Sequence, residues 1–178
     1  MKWSINWITV LLLLLTGCSG GKDKPLSGTA IITSELFGTG PYYSYGFSFT
    51  LADKVSTLSD PEPDFSVEAG VIPGSPDVVP FLSANTFKPS FGLKGEYASE
   101  SEAVAAFNAL TEVGTPSWTD MGAPLKVNQV WVIRTGDTKY AKIRTMGVIL
   151  EQTGDGPVAK CTFQWVFQPD GSPTFPGS

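Results

Sequence analysis

The chemistry open to this chain is limited by the side chains it contains. The sequence has no histidine, which excludes a Ser-His-Asp triad, a Cys-His pair and an ordinary zinc site. No GxxxxGK[ST] or GxGxxG segment occurs that could cradle a phosphate group. Once Met1 leaves with the leader described below, the thioethers that could serve as soft ligands are Met121 and Met146. We therefore expect a binding protein and not an enzyme.

Carboxylates are the other candidates for acid–base or metal chemistry. Glu100 and Glu102 lie at a predicted helix start, where acidic side chains favour the helix dipole. Asp60, Glu62 and Asp64 lie in a proline-rich segment that lacks the closing glutamate of a calcium loop. Neither group predicts a catalytic residue, and we expect no protein-bound metal ion.

The N-terminus has the pattern of a secretory leader. A short positive region ending at Lys2 precedes an apolar run that includes LLLLL and is too short for a spanning helix with stop-transfer flanks. The run ends in LTGC, which resembles the lipobox of bacterial lipoproteins and implies cleavage before Cys18 and acylation of that cysteine. We expect a signal peptide at 1–17, a flexible tether at 18–27 and a folded domain at 28–178.

The charge and the cysteine content argue against nucleic-acid binding and against an internal disulfide in this chain. Acidic residues outnumber basic ones by 17 to 12, and no basic cluster is present, so nucleic acid is not an expected partner. With Cys18 lipidated, Cys161 has no cysteine to pair with. It shares one parity with Ala159, Phe163 and Trp165, which predicts a small buried hydrophobe and not a nucleophile.

Alternating apolar residues predict strands. One set indicates a half-buried strand from Tyr43 to Leu51. We expect most of the seven aromatic residues of this strand and of the last predicted strand to lie in the core, namely Tyr43, Tyr45, Phe47, Phe49, Phe163, Trp165 and Phe167. Dense prolines and glycines between Ser59 and Pro89 indicate loops between short strands. Three further strands are predicted near the C-terminus, with turns between them, at 129–135, 140–151 and 158–168.

One segment has helical character. It begins at Ser99 or Ser101 and runs to about Val113, and Ser99 with Glu102 has the spacing of a capping box. Gly114-Thr115-Pro116 supplies a stop signal. Many short strands and a single helix predict a mainly β fold, in which antiparallel β-sheets form a single domain with one short α-helix.

The loop after this helix contains a candidate binding surface. Trp118 and Met121 lie three residues apart in it. An aromatic ring and a thioether in one loop could line a pocket for a flat apolar ligand. The alternative is that the two side chains only pin the loop to the core.

Four segments together resemble the HmuY-like lipoproteins, a family of β-rich haem-binding proteins of the bacterial cell surface. The two more distinctive segments contain KYAKI and QPDGS, and the lipobox adds to the resemblance. No Trp-Asp pair occurs where the family usually has one, and the nearest equivalent is 63–67. The segments are PYYSYGFSFTLADKVS, AVAAFNALTEVGTPSW, VWVIRTGDTKYAKIRTMGV and TFQWVFQPDGSPTF.

The resemblance implies a function and a ligand. It implies non-covalent binding of b-type haem or a related porphyrin, lipid anchoring at the outer membrane with the domain at the cell surface, and delivery to an outer-membrane transporter. Well-known members hold the iron through two histidines, and others resemble a two-methionine arrangement, which makes Met121 and Met146 the candidate haem ligands here. For Met146 the alternative is core or strand-end packing. For the whole chain, the alternative function is that of a lipoprotein with the same scaffold that has lost its haem ligands and binds a glycan or a protein partner.

Overall fold

The chain folds mainly into β-strands. A computed structural model describes residues 24–40, 43–84 and 87–175. The strands within these ranges are β1 (Ser27–Thr33), β2 (Tyr45–Ser48), β3 (Asp53–Ser56), β4 (Ser66–Val71), β5 (Val78–Ser83), β6 (Phe91–Glu96), β7 (Trp118–Thr119), β8 (Met121–Gly122), β9 (Gln129–Arg134), β10 (Tyr140–Thr153) and β11 (Gly156–Gln168). Helix α1 (Glu100–Ala109) lies between β6 and β7. The prediction of a mainly β fold with one short helix is confirmed.

The strands form three antiparallel sheets. The large sheet has the order β1-β11-β10-β9-β6-β7, the small sheet has the order β4-β5-β8, and β2 and β3 pair as a hairpin. The chain passes from the large sheet to the small one between β7 and β8, which are separated by a single residue. Within the described ranges, no helix is both long and apolar enough to cross a membrane.

Aromatic side chains fill the core between the large sheet and the strands that cover it. The ring of Phe47 lies 5.3 Å from the rings of both Phe163 and Trp165, and Phe49 stacks on Phe167 at 5.7 Å. Such pairs add about 0.5–1.5 kcal/mol each beyond the area they bury. The alternation predicted for the C-terminal segment is confirmed, because these residues of β11 all face the core.

The N-terminal aromatic segment forms less strand than its alternation predicts. Regular strand pairing in this segment is limited to β2. The chain then turns: Ala52 has a φ of 53°, and its N–H donates a hydrogen bond to the carbonyl of Phe49. Phe47 and Phe49 are buried, but Tyr43 and Tyr45 are exposed. Most of the seven aromatic residues predicted to lie in the core are therefore buried, and these two tyrosines are the exceptions.

Helix α1 covers part of the outer face of the large sheet. Its start is as predicted, since the Ser99 hydroxyl accepts the Glu102 N–H at 3.3 Å. The helix ends at Ala109, before the predicted Val113, because Leu110 takes an extended conformation and the Val113 N–H pairs with the carbonyl of Pro173. The ammonium of Lys142, a buried residue of β10, donates hydrogen bonds to the carbonyls of Phe107 and Leu110. It therefore occupies the position where another helical turn would begin.

Candidate ligand-binding cleft

Trp118 and Met121 lie on the two short strands that join the large and small sheets. Trp118 on β7 pairs with Gly92, and Met121 on β8 pairs with Ser83. The hydroxyl of Thr119 donates to the carbonyl of Phe91 at 3.1 Å and to that of Met121 at 2.8 Å. These bonds hold the backbone of the residues between Trp118 and Met121 in one conformation.

The two side chains line one open cleft. Its volume is about 460 Å³, within the roughly 300–1,000 Å³ of small-molecule sites. Its other wall comes from Ile72 and Pro73 in the loop between β4 and β5, which precede Trp118 by 46 and 45 residues. The remaining lining residues are Thr119, Asp120 and Ala123. The cleft is therefore mostly apolar, with one thioether and one carboxylate.

Trp118 also packs inward. The guanidinium carbon of Arg134 lies 4.6 Å from the centre of the Trp118 ring and 4.7 Å from that of Phe87, so the cation stands between two aromatic rings. Arg134 is held there by a hydrogen bond of 2.6 Å from its guanidinium to the carbonyl of Pro89. Trp118 therefore packs against Arg134 and also lines the cleft, and its contact with a flat apolar ligand stays a prediction.

Arg134 is the residue of this site that sequence reasoning missed. It ends the predicted strand β9, and nothing in its spacing links it to Trp118 or Phe87. Antiparallel pairing of β6 with β9 carries it to the loop that contains Phe87, since the Arg134 N–H donates to the carbonyl of Ser90 at 2.9 Å. The buried Nε of Arg134 has no hydrogen-bond partner in the described part of the chain.

Met146 lies at an irregularity in β10 and does not line this cleft. The register between β10 and β11 shifts between Thr145 and Gly147, so Met146 is the extra residue of a β-bulge. Its side chain is 38 % exposed. Interpreting Met146 as core or strand-end packing is therefore wrong, because it is exposed in the middle of a 14-residue strand. Its role as a haem ligand stays a prediction.

Other predicted site residues are buried or not described. Cys18, the predicted lipid attachment, lies outside the residues that the structure describes, as does the start of the tether. Cys161 is fully buried, and burial raises the pKa of its thiol to about 12. It is therefore a buried hydrophobe, as predicted, and its thiolate is not formed at neutral pH.

A larger cavity of about 540 Å³ lies at the far end of the β10–β11 hairpin. Three carboxylates line it, those of Glu35, Glu68 and Asp155. Burial raises the pKa of Glu68, and a hydrogen bond from the Ser66 hydroxyl at 2.9 Å partly offsets this. Such a lining repels an anionic ligand. Among the described residues, no three His, Cys, Asp or Glu side chains are grouped so that they could hold a metal ion.

Comparisons with protein-family models, with curated proteins and with solved structures found no match to this chain.

Proposed function

We propose that this chain is a lipid-anchored surface protein that binds haem or a related porphyrin and passes it to an outer-membrane uptake system. The observation that carries the proposal is that Trp118 and Met121 line the same apolar cleft. The resemblance of the sequence to haem-binding lipoproteins supports the same ligand. Binding and release, without a chemical step, constitute the function that we infer.

The residues of the cleft fit a porphyrin in three respects. The Trp118 ring and the side chains of Ile72 and Pro73 offer apolar surface to a flat macrocycle. The sulfur of Met121 is a soft ligand suited to haem iron. The cleft is open to solvent, so binding there need not bury the charged propionates of haem. Haem would supply the iron, and Met121 would be the residue of this chain that holds it.

Replacing Met121 with leucine is expected to weaken haem binding about tenfold or more. Leucine keeps nearly the same volume and apolar character, so the fold and the cleft remain while the sulfur is lost. A tenfold loss corresponds to about 1.4 kcal/mol of binding free energy. Titration of the protein with haem, oxidised and then reduced with dithionite, measures it, and the native Soret band should sharpen on reduction because thioethers favour ferrous iron.

Met146→Leu is the matched control. It makes the same chemical change at a methionine outside the cleft lining, so we expect an unchanged spectrum and affinity. If Met146→Leu instead removes a low-spin spectrum, Met146 is the second axial ligand and must approach the cleft when haem binds. If the native protein and Met121→Leu bind haem equally well, Met121 is not a haem ligand.

Replacing Cys18 with alanine is expected to abolish lipid attachment. The thiol of Cys18 is the only group at the predicted cleavage site that can carry the thioether-linked diacyl chain. The variant should remain an unacylated and uncleaved precursor, whereas the native chain should carry the added mass of its acyl chains. Intact mass measured on the membrane fraction checks this. An unmodified mature form of the native chain, secreted into the medium, would rule out the lipid anchor.

A second candidate function is supported by a separate surface. Phe37, Tyr43 and Tyr45 are exposed and contact one another, with ring centres 5.7 Å apart for Phe37 and Tyr43 and 4.7 Å apart for Phe37 and Tyr45. Exposed aromatic clusters are typical of surfaces that bind glycans or proteins. Should no haem bind in either oxidation state, a lipoprotein that binds such a partner through this cluster becomes the proposed function.

A further inference from the structure

Among the described residues, nothing pairs with the backbone groups along the outer edge of β1. The N–H of Ser34 donates to the carbonyl of Ala159 at 2.9 Å, and the N–H of Phe167 donates to that of Leu26 at 2.7 Å. In an antiparallel pair these bonds recur at every second residue. The even-numbered residues of β1 therefore bond to β11, and the odd-numbered residues point their N–H and C=O groups away from the sheet. These are Ser27, Thr29, Ile31 and Thr33.

None of these four residues has its peptide groups paired by a hydrogen bond within the described part of the chain. Natural sheets protect such edges with charge, proline, bulges or short length. β1 has none of these features: it reads SGTAIIT and pairs with β11 without a register shift. The other outer strand of the large sheet, β7, has two residues, and β4 at the edge of the small sheet carries Glu68. β1 is thus an unprotected edge.

An open groove lies beside this edge. This groove, of about 340 Å³, runs along residues 27–31 of β1. Its far wall is formed by Ala52, Asp53 and Lys54, and Phe47 and Trp165 lie at its floor. Asp53 and Lys54 are adjacent and opposite in charge, so the groove has no excess charge of one sign that would repel a second copy. Ile31 at the centre of the edge is 58 % exposed.

We propose that a second copy of this chain pairs with this edge, so that two β1 strands join antiparallel and the large sheet continues across a two-fold axis. Centring the pair on Ala30 places Thr29 opposite Ile31 of the partner and Ser27 opposite Thr33. Each of the four outward residues then exchanges both of its hydrogen bonds with its counterpart. An uncharged strand meets its own copy without like-charge repulsion, and Ile31 gains a cross-strand neighbour.

The register gives a direct test by cysteine cross-linking of the full chain in its membrane. Ala30 faces Ala30 of the partner as a non-hydrogen-bonded pair, in which the Cα atoms are about 4.5 Å apart. This lies within the range of about 4.4–6.8 Å that a disulfide spans. We expect Ala30→Cys to form disulfide-linked dimers under mild oxidation. Thr33→Cys is the control, because the two cysteines would be about 20 Å apart along the strands. Cys161 is fully buried and should not react.

A charge placed on the edge should separate the copies. We expect the full chain in mild detergent to have twice the polypeptide mass by light scattering, and Ile31→Lys to raise the dimer dissociation constant at least tenfold. Ile149→Lys is the matched control, since Ile149 is 50 % exposed on the same face of the large sheet but lies on β10, two strands from the edge. A monomeric native chain, equal effects of the two lysine variants, or equal cross-linking of Ala30→Cys and Thr33→Cys would each overturn the proposal.

Discussion

Replacing Lys142 with alanine is expected to lower the free energy of unfolding by about 3–5 kcal/mol. The Lys142 side chain is 1 % exposed, and its ammonium donates hydrogen bonds of 2.8 Å to the carbonyls of both Phe107 and Leu110. These carbonyls belong to the C-terminal end of α1, where intrahelical partners are missing. The ammonium also lies 4.7 Å from the Phe107 ring and 5.5 Å from the Phe175 ring. Alanine removes both hydrogen bonds, the ring contacts and the packing of the stem.

The burial of this lysine has an opposing cost. Burial lowers the pKa of Lys142, since the charged ammonium is poorly solvated between the helix and the sheet. The helix C-terminus, with its partial negative charge, compensates for part of this penalty. The net effect of substitution is still destabilising, because the buried carbonyl of Phe107 and the partly buried carbonyl of Leu110 would lose their donor.

Lys142→Met separates hydrogen bonding from packing. Methionine keeps a long unbranched stem and removes the donors, so a smaller loss of about 2–3 kcal/mol is expected. Urea unfolding of the three proteins measures the differences. Lys160→Ala, which removes an exposed ion pair with Glu151, is the control and should change stability by less than about 1 kcal/mol. If Lys142→Met proves as stable as the native chain, the capping of α1 by Lys142 contributes nothing.

Lys142 also shows where sequence reasoning reached its limit. The alternation around it correctly predicts that Ala141, Ile143 and Thr145 share one face of β10, because that pattern is local to the strand. The burial of the opposite face depends on α1, more than thirty residues earlier, and on Phe175, more than thirty residues later. No short-range sequence pattern predicts that these distant residues cover the Lys142 face of β10. The burial of this charged residue therefore becomes evident only in the folded structure.

The cleft was predictable only in part. Trp118 and Met121 are close in sequence, which is why their joint role could be inferred from spacing. Ile72 and Pro73 complete the cleft because β5 pairs with β4 on one side and with β8 on the other, and that pairing has no local signal. The bulge that exposes Met146 could not be predicted from the sequence either, since a single extra residue leaves the apolar pattern of the strand almost unchanged.

The hairpin between β9 and β10 faces a carboxyl group with an unusual pKa. Burial raises the pKa of Asp64 to about 6, from an ordinary value of 3.8. A hydrogen bond of 2.7 Å from the Phe49 N–H to the carboxylate opposes the increase, the negative charge of Asp137 adds to it, and the positive charge of Lys139 opposes it. Lys139 and Asp137 also form an ion pair with each other. The folded chain therefore holds a proton on Asp64 at pH values where the unfolded chain has lost it.

Replacing Asp64 with asparagine is expected to stabilise the protein at pH 8 relative to the native chain, and to do so much less at pH 4. Between about pH 4 and 6 the folded state binds the proton and the unfolded state does not, so the native chain loses stability as the pH rises through this window. The full loss is on the order of 3 kcal/mol for a shift of about two units. Asparagine is uncharged at every pH, and its side-chain oxygen can still accept the Phe49 N–H.

Urea unfolding of both proteins at pH 4, 6 and 8 tests this, because subtracting the two curves removes the titration of all other groups. Asp170→Asn is a control of opposite sign. Hydrogen bonds from Ser172 lower the pKa of Asp170, so its contribution is present at neutral pH and is lost as the pH falls. A stability difference between Asp64→Asn and the native chain that stays constant from pH 4 to pH 8 would show that Asp64 is ionised in the folded protein throughout. In that case the hydrogen bond from Phe49 and the charge of Lys139 stabilise the carboxylate at least as strongly as burial opposes it.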